Sequence, residues 1–476
     1  MINSSISILW FRQDLRLIDN PALMEACLKG SVVPIFILDD ESAGEWKYGG
    51  ASRWFLYEAL NNLSKQLEHK LSIFQGDAKT IIPELIKKVG ASSIYWNRCY
   101  EPWCIKRDAL IKGNLKSEGI TVKTFNASLL WEPWEVLKKD GSPYKVFTPF
   151  YRKGCLMSQP PRHPHDTPVE MHFLSVDDCK DLNNLGLKPS SDWFKKLENF
   201  WDASTKGALS KLSIFLDSAL SDYREGRNFP SRKCVSFLSP YLRYGLVSPN
   251  IVWHAALSAN PNNLEDKNLD TFLSELGWRE FSYYLLFHFP DLPTTNLQKK
   301  FDRFPWRSNA KDFFEKWKWG LTGYPFIDAG MRELYETGYM HNRLRMVVGS
   351  FLVKNLLIDW RYGEQWFWDC LVDADLASNS AGWQWIAGCG ADAAPYFRIF
   401  NPITQSEKFD SEGMYIKQHV PELSGLPSKY IHAPWQAPES ILRESGVELG
   451  NTYPYPIVDI KESRQQALEA FAKTKM

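Results

Sequence analysis

The sequence predicts an α/β domain with a doubly wound parallel sheet, followed by a larger all-α domain. Three observations carry this. Apolar runs of strand length recur through the first 130 residues, helical patterns separate them, and beyond about residue 201 strand patterns give way to long helical ones. The runs are Ser7–Phe11, Val32–Leu38, Leu71–Phe74, Ser93–Asn97 and Thr121–Phe125. Between them Phe55, Leu56, Ala59, Leu60, Leu63 and Leu67 keep helical spacing, as do Ile82, Leu85, Ile86 and Val89. Alternation of this kind implies right-handed βαβ crossovers and a sheet covered on both faces. The α/β domain is expected at 1–130. Residues 131–200 lose periodicity and gather Pro, Lys and His, as in Gln159 to His165, and read as a linker. His163 and His165 have no third ligand beside them and read as loop residues. The helical domain is expected at 201–476, with helices near Leu209–Ser221, Thr271–Phe287, Ala310–Lys318, Phe326–Thr337, Arg343–Leu357 and Gln365–Asp375.

The totals exclude several classes. Lys plus Arg and Asp plus Glu are equal at 56, so any nucleic-acid site must be a local basic groove in a neutral protein. Eight cysteines form no CxxC and no paired Cys/His spacing, so neither a disulfide framework nor a metal site is expected. No 18-residue apolar stretch and no leader pattern is visible, so a cytoplasmic protein with no membrane span is expected. There is no GxGxxG after the first strand and no GxxxxGK[ST]. The 20 Trp exceed what a core of this size requires, leaving some as stacking platforms or redox-active indoles.

Two stretches stand out locally. After the first strand comes Trp10-Phe11-Arg12-Gln13-Asp14-Leu15-Arg16, then Asp19-Asn20-Pro21. Asp19 or Asn20 is placed to cap the helix that Pro21 begins. Arg12, Asp14 and Arg16 read as ion pairs at the strand exit. From Asp373 to Pro402 the chain packs Asp373, Asp375, Asn379, Trp383-Gln384-Trp385 and an Ala-Ala-Pro-Tyr-Phe-Arg-Ile-Phe-Asn-Pro run. Buried carboxylates are costly unless they meet cations or donors, so a polar ligand or a fixed Arg should lie nearby.

With His341-Asn342-Arg343-Leu344-Arg345-Met346, these stretches resemble the photolyase/cryptochrome family over residues 7 to about 470, and within it the cyclobutane pyrimidine dimer (CPD) photolyases. The resemblance implies FAD in the helical domain. Its contacts would be Tyr223, Ser236, Phe237, Leu238, Ser239, Phe272, Glu275, Arg279, Ser282, Arg345, Asp373, Asp375 and Asn379. The hydroxyls near Ser236 and Ser239 stand where the family has Thr-Ser-Arg-Leu-Ser, here Val235 to Ser239, with one hydroxyl and one Arg lost. Arg345 would pair with Asp373, and Asn379 would face flavin N5. A second, antenna chromophore is implied in the first domain, a folate such as methenyltetrahydrofolate or a deazaflavin. Gly49–Trp54 and Asn97–Trp103 are candidates to line its site, with Trp103 and Cys104 where some folate-binding members carry Asn and Glu.

By the same resemblance DNA containing pyrimidine dimers is the partner and the protein a monomer. Glu275, Trp278, Asn342, Met346 and Trp385 would meet the dimer, with Arg227, Arg343 and Arg398 on the DNA. Asn342 stands where members that repair the pyrimidine (6-4) photoproduct usually carry His. Glu275 and Asn342 would act catalytically, and Trp306, Trp360 and Trp383 would conduct electrons to the flavin. The implied function is light-driven CPD repair. Two alternatives remain: a cryptochrome-type photoreceptor, which needs the flavin and tryptophans without the dimer-pocket residues, and a dark flavin-dependent electron-transfer protein.

Overall fold

The structure, a computed structural model, describes residues 5–260, 265–393 and 397–474. Of the 373–402 stretch, Ala394, Pro395 and Tyr396 lie outside the described residues. The described chain divides into two compact units, Met1–Ser218 with Ser236–Pro290 and Val372–Ala377, and Ala219–Val235 with Asp291–Leu371 and Ser378–Met476.

All five expected strands form: β1 (Ser5–Phe11), β2 (Gly30–Leu38), β3 (Ser72–Gln75), β4 (Ser93–Asn97) and β5 (Thr121–Phe125). They pair in parallel in the order β3-β2-β1-β4-β5. The order reverses at β1, as a doubly wound sheet requires. Helices α1 (Pro21–Cys27), α2 (Gly50–Gln66), α3 (Ala78–Val89) and α4 (Pro102–Ser117) connect them. β1 and β2 are apolar along nearly their whole length because both faces are covered, with Ile8, Trp10, Val33 and Ile35 in a core completed by Ile82, Leu85 and Leu115.

The strand exit is structural. Asn20 caps α1 by accepting from Leu23 N at 3.1 Å. Asp14 accepts from the Arg12 amide and the Asn97 side chain, and Arg12 pairs with Asp108. Arg16 is fully buried and pairs with no carboxylate among the described residues; it donates to the carbonyls of Gly245, Asp19 and Ala127 at 2.8–2.9 Å. One guanidinium thus ties the β1 turn to two segments that follow the sheet domain through direct bonds to their carbonyls.

The first unit continues into α5 (Thr205–Ser218), α6 (Ser239–Arg243), α7 (Pro249–Ala259) and α8 (Lys267–His288). The second contains α9 (Lys311–Lys318), α10 (Pro325–Thr337), α11 (Asn342–Ser350), α12 (Trp360–Cys370), most of α13 (Leu376–Ala387) and α14 (Ile460–Lys473). Two expectations shift. The helix expected at Gln365–Asp375 is α12, which ends at Cys370, so Asp373 and Asp375 stand in the turn before α13 rather than on a helix. The helix expected at Arg343–Leu357 ends as α at Ser350 and continues as a wider π turn from Phe351 to Asn355. Apolar spacing alone cannot distinguish these two windings over one turn.

Gly245 adopts φ +66°, and a Cβ there would fall 2.1 Å from the Gln13 carbonyl oxygen, on the turn that Arg16 holds. Gly245→Ala is expected to cost about 2 kcal/mol or more through backbone strain and collision. Thermal unfolding checks this, and an unchanged midpoint would contradict the tight approach.

Candidate flavin and substrate sites

In the first unit, α8 carries Phe272, Glu275, Trp278, Arg279 and Ser282. Gly277 lets α8 sit directly on Tyr151, where a Cβ would lie 2.6 Å from the ring. Phe147 stacks on Tyr151 at 5.5 Å and on Trp278 at 3.8 Å with 11° between planes. One face of the Trp278 indole is therefore taken by Phe147, and the half-buried ring is held as a rigid plate. Phe147 lies in the stretch read as a linker, and no sequence signal marked it. Phe272 is buried and packs on Phe215 at 4.6 Å.

Arg279 donates to the Ser128 carbonyl at 2.7 Å and to Glu280 at 3.2 Å, and lies over Tyr283 at 4.8 Å. Ser282 donates to the Trp278 carbonyl at 3.0 Å. Glu280 is buried, accepts from the Leu130 and Trp131 amides, and is raised by burial to about 7. Asp373 and Asp375 are buried on the turn before α13; Tyr283 donates to Asp375, and Arg243 donates to the Ala374 carbonyl between them at 2.8 Å. The Asp375 carboxylate is thus held by a phenol, and the backbone between the two residues by a guanidinium. Ser236 accepts from Leu238 N at 3.4 Å, and Phe237 takes φ +54°. The helix that Ser239 begins, α6, has five residues, too few for an appreciable macrodipole, so local amides and hydroxyls are what this turn offers a phosphate.

In the second unit α12 and α13 meet where Gly363 faces Trp383; a Cβ on residue 363 would lie 2.1 Å from the ring. The next residue, Glu364, accepts from Ser380 through its side chain and from Asn379 Nδ2 through its carbonyl at 3.0 Å. With Nδ2 used, Asn379 presents Oδ1, which has no hydrogen-bond partner among the described residues, as an acceptor. Trp383 also packs on Phe367 at 5.0 Å and Trp317 at 6.2 Å. Trp360 opens α12 one turn before Gly363 and donates to Asn296 at 3.0 Å. Trp306 is half-buried against Phe304 at 4.4 Å. Gln384, between the two indoles of the triplet, is fully buried and braces Leu292, Thr295 and Leu297.

Asn342 and Met346 lie one turn apart on α11, Asn342 exposed. His341 caps that helix through Nδ1, accepting from Arg343 N at 3.2 Å, while its buried Nε2 has no hydrogen-bond partner among the described residues. Burial, then Arg343, Arg227 and Arg345, lower His341 to about 3. Three guanidinium groups therefore bear on one neutral imidazole. Arg343 bonds to Asn228 Oδ1 and lies over Phe409 at 4.2 Å, with no carboxylate partner among the described residues. Arg345 donates to the Met340 carbonyl at 2.8 Å, and Arg227 lies over Tyr223 at 5.4 Å. Trp385 and Arg398 line one cleft with Ile386, Asp392, Phe400 and Lys354. Lys354 was not foreseen; burial and then Arg398 lower it to about 7. A Lys inside the apolar run Phe351-Leu352-Val353 was its one sequence signal.

A model of the FAD binding domain of DNA photolyase matches residues 272–473, and a DNA photolyase model matches 7–169. A deoxyribodipyrimidine photo-lyase of Agrobacterium fabrum is 48% identical over 98% of both chains. The chain belongs to the DNA photolyase/cryptochrome family. Cryptochrome-2 of Arabidopsis thaliana is 38% identical over 98% of this chain and 79% of its own. A bacterial class III photolyase from Agrobacterium tumefaciens superposes with TM-score 0.95 at 47% identity, covering 99% and 98% of the two chains. Several of its curated relatives are deoxyribodipyrimidine photo-lyases, and its matched C-terminal region is an FAD-binding domain. No helix among the described residues is long and apolar enough to cross a membrane.

A histidine held neutral in the fold loses stabilisation as pH falls from its ordinary value near 6.5 toward about 3, because the unfolded chain takes up a proton that the folded chain refuses. The slope from this one group is at most about 1.4 kcal/mol per pH unit. His341→Asn keeps a capping acceptor and should remove that component. Urea unfolding at several pH values checks this, and superimposable slopes would contradict it.

Proposed function

We propose that the protein is a photolyase that splits cyclobutane pyrimidine dimers in DNA, with FAD as its cofactor. The observation that carries this reading is the co-occurrence in one sequence of Glu275, Trp278, Asn342, Met346 and Trp385 with Asn379, whose side chain donates to the Glu364 carbonyl, a set that signalling alone does not require. Tyr223, Ser236, Phe237, Leu238, Ser239, Phe272, Glu275, Arg279, Ser282, Arg345, Asp373, Asp375 and Asn379 are the residues that would hold FAD. The unpartnered Oδ1 of Asn379 suits an N–H donor, which is what a reduced flavin ring offers. When bound, FAD supplies light absorption and the electron that opens the cyclobutane ring.

The protein's part is positioning and electrostatics. Trp278, stacked on Phe147, gives a flat apolar plate with little freedom to lose when a base pair packs on it. Trp385 would offer a second such wall. A dimer inside a duplex must leave the stack to reach such a pocket. Glu275 would hydrogen-bond the pyrimidine pair and steady the negative charge that develops on it. Asn342 and Met346, one turn apart, would contact the bases. Arg227, Arg343 and Arg398 would meet phosphates, and Arg343, which pairs with no carboxylate among the described residues, would have its charge for an outside anion. Trp383, Trp360 and Trp306 would pass electrons inward to keep the flavin reduced. An antenna, a folate or a deazaflavin, is proposed for the sheet domain, with the protein acting as a monomer on damaged DNA.

The similarity to Cryptochrome-2 favours a second reading, a blue-light photoreceptor with the same cofactor. Ultraviolet-treated oligothymidine, incubated with the reduced protein, separates the two. Dimer loss under blue light with none in the dark is expected. No loss from protein that holds and photoreduces FAD would favour the photoreceptor.

Two substitutions refine the proposal. Glu275→Ala should lower the quantum yield of repair while FAD stays bound, and an unchanged yield would remove Glu275 from the chemistry. Arg343→Ala should weaken DNA binding and flatten its salt dependence by about one phosphate contact. Titration of a fluorescent dimer-containing oligonucleotide at several salt concentrations reads both effects.

A further inference from the structure

Apart from the flavin and DNA residues, the described residues of the first unit bring together two cysteine sulfurs and a carboxylate. Cys99 and Glu101 lie in the turn after β4, and Cys104 lies in the first turn of α4. One ligand atom from each lies within 4.8 Å of the other two, and all three side chains are buried. Their spacing, C-x-E-x-x-C, matches no zinc pattern, so the absence of CxxC led the sequence reading to expect no metal. It is the strand-to-helix turn that brings the donors together.

The carboxylate is already oriented. Glu101 Oε1 accepts from Gln13 Nε2 and from Arg243 Nη1 at 3.3 Å, while Oε2, on a residue only 1% exposed, has no hydrogen-bond partner among the described residues. An unpaired buried carboxylate oxygen is uncommon and calls for a partner such as an ion. The surrounding charges cancel: Arg12 pairs with Asp108, Arg107 with Asp39 at 3.1 Å and Asp108 at 2.9 Å, and Arg243 with Glu101. A hard cation added to this set would meet three guanidinium groups unshielded. A thiophilic divalent ion does not change the balance, because it displaces two thiol protons: one M2+ and two R–SH give M(SR)2 and two H+.

We propose that Cys99 Sγ, Cys104 Sγ and Glu101 Oε2 bind one divalent cation of the zinc class, with water in the fourth position. Zn–S bonds of about 2.3 Å in a tetrahedron set the sulfurs about 3.8 Å apart, so the donors need contract by no more than about 1 Å. Two sulfurs and one oxygen select against magnesium and calcium. Gln13 and Arg243 would orient the carboxylate from behind, as outer partners of metal ligands do. The ion would pin the β4–α4 turn, which also presents Tyr100 and Trp103. This inference does not depend on the light-driven activity.

The test uses the FAD-containing protein, reduced with a phosphine, stripped with a chelator and titrated with Zn2+ by calorimetry in two buffers of different protonation heat. One zinc per chain with release of about two protons is expected. Cys99→Ser and Cys104→Ser should each weaken binding by more than about tenfold, and Cys179→Ser, at an exposed cysteine, should leave it unchanged. The FAD absorbance of each variant reports whether it has folded. If the serine variants lose FAD, Cd2+ added to the unmodified protein should produce thiolate charge-transfer absorption and protect Cys99 and Cys104 from alkylation. No zinc uptake, uptake unaffected in folded serine variants, or protection that maps to other cysteines would overturn the proposal.

Discussion

Trp383 occupies the space where residue 363 would carry a Cβ, and much of the second unit's candidate site follows from that contact. Because Gly363 yields its side-chain volume, α12 and α13 approach closely enough for Glu364 to reach both Ser380 and Asn379. The carboxamide is thereby fixed with its donor end on backbone and its acceptor end unpartnered. Trp360 and Trp383 are carried on the same two helices, so one close approach sets two of the three indoles and the group proposed to face the flavin ring. Close packing transmits such a constraint because interiors have no slack to absorb an added methyl.

The first unit is organised by buried charge. Arg16 satisfies three carbonyls, Glu280 takes two amides, and Arg243 reaches both the Ala374 carbonyl and Glu101. Each is an ionisable group used as a joint between segments distant in sequence. Such joints hold only when nearly every donor and acceptor is met. Glu101 Oε2 is one of the buried atoms left without a partner among the described residues, and it lies within reach of two cysteine sulfurs, which is why the proposed metal site rests on it.

Parts of the reading were legible because they are local. Five apolar runs gave five strands, since a strand buried on both faces must be apolar along its length. Asn20 before Pro21 gave a capped helix, since an Asn side chain reaches the third amide ahead. The His341-to-Met346 motif placed Asn342 and Met346 one turn apart, which helical geometry guarantees. Helix ends were less legible. Apolar spacing continues past Cys370 and Ser350, yet the backbone turns at the first and widens to π at the second.

The sequence by itself determined the fold class, the family and the residue types available for flavin and DNA, because periodicity and contiguous motifs are properties of neighbours along the chain. Tertiary structure decided what those residues can reach. It set Phe147 against Trp278, drew Arg227 and Arg343 to bear on a neutral His341, put Lys354 beside Trp385 and Arg398, and gathered Cys99, Glu101 and Cys104. None of these has a spacing signature, because contacts between distant segments depend on how helices and turns pack, and hydrogen bonding and burial then fix which charges survive there.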